Sequence, residues 1–219
     1  MNKKFKSSLL PILDLQDKII DGKRWYFLPS GQAFKSVTTI IGERTDKSHL
    51  IKWKKRVGHE EAANILAKAG IRGTAIHSMA EKYLQNDPNY KGKEGFENIE
   101  TFLALKDVLD KHVDNIRGNE LPLFSRTLKC AGRTDLVAHY DDVNSIVDFK
   151  TSLKKKKEEW IENYFIQATV YSLMTEFLYK IHIPQIVIII AVDGHSEAQV
   201  FVKNRDDYVD KVMEIFTGE

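Results

Sequence analysis

A chain of 219 residues, 42% hydrophobic and 29% charged, has the make-up of a soluble globular protein with enough length to close one buried core. Its 33 Lys and Arg against 31 Asp and Glu leave a net charge of +2, so no general polycationic field draws it to nucleic acid or anionic membrane; any basic surface must be local. The single cysteine, Cys130, excludes an internal disulfide framework and a cysteine-rich zinc or iron–sulfur site, and suits a reducing, intracellular compartment as a small packed side chain.

Residues 1–17 begin basic and turn apolar, but the apolar run at 9–13 is interrupted by Pro11 and meets Asp14, too short for a signal peptide. Residues 24–41 carry aromatic and β-branched runs around Pro29-Ser30-Gly31, which predicts a strand, a turn and a second short extended segment. From 48 to 84 the spacing turns helical through Ile51, Lys55, His59, Ile65, Ala69, Ile76, Ala80 and Leu84, predicting two helices separated near residues 70–73. After a loop at 86–95, residues 98–117 read as an amphipathic helix with Phe102, Leu105, Leu109, Val113 and Ile116 on one face, ended by Gly118 as a C-cap.

The period then becomes two. Residues 122–129, 131–140 and 145–151 predict three strands, with 141–144 as the turn between the last pair. A long helix is expected over 158–180, a hairpin over 185–193 and 197–203, and a closing helix over 205–216. The β-branched run at 186–192 reads as a buried strand and not a membrane span. With no repeat and no low-complexity linker, this order describes one α/β domain with a mixed sheet flanked by helices.

The hairpin at 132–151 carries the chemistry. A four-residue loop at 141–144 pairs Tyr140 with Ser145, and counting back sets Asp135 opposite Lys150 and Val137 opposite Asp148. Alternation then projects Asp135, Asp148 and Lys150 from one face, with Leu136, Ala138, Val147 and Phe149 on the other. Opposite Cβ atoms lie roughly 4.5–5.5 Å apart, within reach of one cation. Two adjacent carboxylates repel unless a cation lies between them, and hard oxygen donors suit Mg²⁺ or Mn²⁺. A lysine beside that ion is placed to hold or deprotonate a water, or to neutralise charge on a phosphoryl transition state, which is the chemistry of phosphodiester hydrolysis. On spacing alone, an exposed hairpin with a cross-strand Asp135–Lys150 ion pair accounts for the same residues equally well.

The string Gly132-Arg133-Thr134-Asp135, followed by Val147-Asp148-Phe149-Lys150-Thr151, resembles the core motif of RecB-like PD-(D/E)XK nucleases. Upstream, Gly73-Thr74-Ala75-Ile76-His77 looks like their G-S/T-x-x-H element, and downstream Gln167-Ala168-Thr169-Val170-Tyr171 matches their Q-x-x-x-Y element. Residues 36–41, 53–58 and 72–77 are similar, with less specificity, to the mitochondrial genome maintenance exonuclease and its phage-encoded relatives. The resemblance implies a restriction-endonuclease-like core over 71–204, an N-terminal hairpin and helical elaboration over 1–70 and a C-terminal helix over 205–219, all in one nuclease domain. It implies Mg²⁺ or Mn²⁺ held by Asp135, Asp148, the Phe149 carbonyl and His77, with Glu120 where some relatives place an extra acid. Catalysis would fall to Lys150, Asp135 and Asp148, supported by Gln167 and Tyr171. The implied activity is metal-dependent exonuclease action on DNA with a free end, single-stranded by preference, in a monomer of bacterial cytoplasm or an organelle, with no membrane partner and no iron–sulfur cluster. A structure-specific endonuclease, or an inactive DNA-binding protein on the same fold, are the alternatives.

Each of these residues also has a plainer reading. His77 could fill a polar pocket, Gln167 and Tyr171 share one helical face that packs on the sheet, and Glu120 follows Gly118-Asn119 at a helix exit. Lys154, Lys155 and Lys156 follow the lysine strand, and Lys52 sits beside Trp53. Either patch could track a phosphate backbone with rings stacking on bases, or form a solvated turn. Arg72 and Thr151, next to the motif residues, are placed with them on the DNA path.

Overall fold

The computed structural model describes residues 3–218. One mixed eight-stranded sheet runs through it, with helices on both faces. β1 (Gln16–Ile20), β2 (Lys23–Phe27) and β3 (Ala33–Ser36) form an antiparallel meander, and β3 then runs parallel to β5 (Cys130–Tyr140). β5 is antiparallel to both β4 (Val113–Ser125) and β6 (Val143–Ser152). β6 pairs parallel with β7 (Gln185–Val192), and β8 (Gln199–Asn204) closes the far edge antiparallel.

β7 shows why the sheet sits in the middle. Ile186, Ile188 and Ile190 pack on one side with α1 (Val37–Arg44), α5 (Glu162–Tyr179) and α6 (Val209–Phe216). Val187, Ile189 and Ala191 pack on the other with α3 (His59–Leu84) and α4 (Phe96–His112). A strand covered on both faces becomes a continuous apolar run, which is how QIVIIIAV reads. Among the described residues no helix is long and apolar enough to cross a membrane.

Several expected boundaries move, each for a local reason. The break in the long helical stretch falls at Gly58, whose φ of 97° suits glycine, so α2 (Ser48–Val57) ends there and α3 runs through Gly70 and Gly73. Glycine inside a helix costs about 1 kcal/mol, and the buried stripe Ile76, Met79, Ala80 and Tyr83 outweighs it. Residues 37–41, expected to be extended, open the helix Val37–Arg44 because the Ser36 hydroxyl caps it, accepting from the Thr39 N–H at 3.0 Å. β1, exposed along its length, was not expected at all.

The largest correction concerns residues 113–118. α4 stops at His112 and β4 begins at Val113, so Gly118 lies inside a strand and caps nothing. Val113 and Ile116 are buried in the same core as Leu105 and Leu109, so their apolar spacing fitted either element. The β4–β5 register shifts between Asp114 and Gly118, and there the backbone of Ile116 and Arg117 pairs instead with the N-terminal segment, through Lys6, Ser8 and Leu10.

Candidate metal centre

β5 keeps β4 along one edge, interrupted only at the register shift between Asp114 and Gly118. On its other edge it pairs with β3 only at Cys130 and Ala131, and with β6 only from Leu136 onward. The site lies where β6 has left β5. The turn joining them is two residues, Asp141 and Asp142, both left-handed with φ of 49° and 63°, and not the expected four-residue loop. Tyr140 therefore pairs with Val143 and Leu136 with Val147, a slip of two from the expected register. Continuing that count puts Asp148, and not Lys150, across from Asp135. In β4, Asn119↔Leu136 and Leu121↔Thr134 bracket Glu120 and set it opposite Asp135 as well. Three carboxylates thus line up across three neighbouring strands.

Ladder pairing stops short of Asp135, whose Oδ2 instead accepts the Phe149 N–H at 2.7 Å. His77, from α3, reaches in from the other side. Its Nδ1 is 3.3 Å from Asp135 Oδ1 and 4.0 Å from Glu120 Oε1, and its Nε2 lies 2.9 Å from the Phe149 carbonyl oxygen. One nitrogen of His77 and one oxygen each of Glu120 and Asp135 lie within 4.8 Å of one another. Glu120, expected at a helix exit, sits instead in β4 with a φ of 50°, which turns its side chain toward this cluster.

Asp148, 1% exposed, is held apart from that trio by α5. Its Oδ1 accepts from Gln167 Nε2 at 2.9 Å, and its Oδ2 pairs with Lys150 Nζ. The Lys150 ammonium also stands 5.0 Å from the centre of the Tyr164 ring. Tyr171, one turn beyond Gln167, is buried against Gly132, where an added Cβ would come within 2.6 Å of the phenol oxygen. Gly132 is therefore small because a ring lies on it.

Charge and burial push these groups apart. Burial alone would lower His77, but the Asp135 carboxylate outweighs it and raises the imidazole to about 9. Burial would raise Asp135, yet His77, Lys150 and the Phe149 N–H together hold it below the usual range. Glu120 is raised to about 7 by burial and by Asp135, and Asp148 to about 6 by burial against the pull of Lys150. For Lys150 burial is opposed by Asp148 and Asp135, which keep it cationic.

The residues placed on a DNA path are scattered around this centre. Arg72 is ion-paired with Asp193 at 2.6 Å, and Thr151 approaches Gly73. Lys154 and Lys155 are exposed beyond β6, while the Lys156 backbone is clamped by the Gln199 side chain, donating at 2.7 Å and accepting at 2.9 Å. Lys52 is exposed and Trp53 half-buried on α2, a helix whose described side chains are nowhere fully buried. Neither a protein-family model nor a curated protein matches the chain.

Proposed function

We propose that this chain is a divalent-metal-dependent deoxyribonuclease built on a PD-(D/E)XK core. One observation carries the reading: Glu120 and Asp135 gather around one imidazole, and Asp148, which the strand count sets across from Asp135, carries an ammonium. Carboxylate oxygens with one imidazole are donors that Mn²⁺ and Mg²⁺ accept. His77, Glu120 and Asp135 would hold the ion, with Asp148 beside them. A bound ion supplies polarisation of the phosphate and a lowered pKa for an attacking water.

The protein's own groups divide the remaining work. Gln167 fixes one oxygen of Asp148 and leaves the other to Lys150. Lys150, held by Asp148, is placed to put a positive charge beside the developing phosphoryl oxyanion. A His77 ring that donates from Nε2 to the Phe149 carbonyl presents Nδ1 to the carboxylates. Preference for a free single-stranded end rests on the resemblance of residues 36–77 alone.

The test is digestion of end-labelled linear single-stranded DNA beside a single-stranded circle, with Mg²⁺, Mn²⁺ or EDTA, for wild type, Asp148→Ala and Lys150→Ala. Loss of the linear strand only, abolished by EDTA and by both substitutions, supports the exonuclease. Cutting of the circle indicates an endonuclease. No cleavage with either metal refutes the enzyme.

A further inference from the structure

The N-terminal meander has two faces of opposite character. Tyr26 and Phe34 point inward and close a small core with Leu15 and Ala131. On the outward face the register sets Lys18, Trp25 and Lys35 in one row across the three strands, with Gln16, Phe27 and Ala33 in the next. Trp25 and Phe27 are half-buried. Lys35 Nζ stands 5.7 Å from the Trp25 ring centre and Lys18 Nζ 5.8 Å from that of Phe27. The rings border a shallow cavity of about 490 Å³ that Ile20, Asp21, Lys23 and Lys35 complete.

Lys23 and Lys35 do not point away from each other as like charges in water would. Both ammonium groups converge on one carboxylate, that of Glu43 on α1, at 2.6 and 2.9 Å. Two lysines closing on a single anion form the arrangement that a phosphate would take. Alternate residues of a strand stand roughly 6.6 Å apart, which spaces the two rings for separate unstacked bases. A duplex hides the base faces that such rings require, and an aliphatic protein partner would gain nothing from the lysines.

We infer that the outward face of the β1–β3 meander is a binding site for single-stranded nucleic acid, with Trp25 and Phe27 stacking on bases and Lys18, Lys23 and Lys35 on the backbone. β3 is hydrogen-bonded to β5 at Cys130 and Ala131, four residues before Asp135. At about 3.3 Å per residue along a strand and 4.8 Å between strands, the platform lies roughly 15–20 Å from the carboxylates. A strand of several nucleotides would reach both. As a substrate-holding surface the site rests on the nuclease reading; as a binding site it is tested without it.

The experiment measures anisotropy of a labelled twenty-nucleotide oligothymidylate in EDTA, where nothing is cut. Wild type should bind with an affinity that falls steeply with salt. Lys18→Glu, which alters an exposed side chain only, and Trp25→Ala with Phe27→Ala should each weaken binding about tenfold or more. Glu43→Gln frees Lys23 and Lys35 and should tighten binding several-fold, a gain that no folding defect produces. In Mg²⁺, the weakened variants should show a raised KM on the twenty-mer.

Wild-type affinity in all of these variants, or no binding by wild type, overturns the inference. So does a dimer seen by light scattering that Trp25→Ala dissociates with oligonucleotide affinity unchanged, because a second copy would then be the occupant. Absence of cleavage with the binding pattern intact refutes the nuclease and leaves this site standing.

Discussion

An alanine at Gly132 tests the packing that shapes the centre. Its Cβ would lie 2.6 Å from the Tyr171 phenol oxygen and 2.8 Å from Cε1, both closer than packed atoms allow, and a tight 3.1 Å from Cζ. Tyr171 is 3% exposed on α5 and cannot swing aside without opening the core it shares with Phe165 and Val170. Overpacking of this kind costs about 1–3 kcal/mol. Losing glycine's freedom in the unfolded chain returns about 0.4–1 kcal/mol, so the net loss should be about 1–2 kcal/mol. Urea unfolding should show a lower midpoint with unchanged slope. Gly132→Ala with Tyr171→Phe removes the nearest atom but not Cε1, so it should recover part of the loss, and the two substitutions should be non-additive. Hydrolysis should fall further than stability does, because Gly132 and Asp135 share β5. Wild-type stability in Gly132→Ala, or simple additivity in the pair, would refute the contact.

Three further outcomes are expected. Gln167→Leu strips a donor from the buried Asp148 oxygen it holds at 2.9 Å, and DNA hydrolysis in Mg²⁺ should drop about 10–100-fold while the fold survives. Glu176 accepts from the buried Arg205 at 2.9 Å and from the Ile183 N–H at 2.7 Å; Glu176→Gln should cost about 2–3 kcal/mol, below the full cost of an isolated buried charge because Asp206 still pairs with Arg205. Burial works to raise Glu176, but Arg205 and the Ile183 N–H outweigh it and hold the carboxyl below its ordinary 4.5. Its contribution is therefore present above the ordinary carboxyl range and lost as pH falls through the depressed value, so urea midpoints from pH 7 to 3 should fall less in the glutamine variant than in wild type. Replacing Asp141-Asp142 by Asn-Gly, the pair best suited to two left-handed residues, should raise stability by about 0.5–1 kcal/mol in the same assay.

The sequence made the central strands legible because burial on both faces leaves a long β-branched run, and the buried 185–192 stretch admits no other element. It made α5 legible through its length and the stripe that packs on β6 and β7. Residues 113–118 were not legible, since Val113 and Ile116 keep the spacing of the helix before them while their backbone turns to meet the N-terminal segment. That contact is more than 100 residues away in the chain and leaves no local trace.

The centre itself shows what a two-residue period can and cannot convey. A slip of one in β6 would have thrown Asp148 and Lys150 to the face of Val147 and Phe149, and the packing of those two side chains in the core under α3 and α4 forbids it. A slip of two preserves every face, so the pattern is blind to it. Only the turn decides, and Asp-Asp is a weaker signal for a two-residue turn than Asn-Gly. The consequence is chemical: with the longer loop Asp135 meets Lys150, a pair that satisfies itself, whereas the observed register sets Asp135 against Asp148 on one side and Glu120 on the other. The observed register instead leaves Lys150 to pair with Asp148 and His77 with Asp135, and brings in Glu120, whose carboxyl is raised by burial and by Asp135.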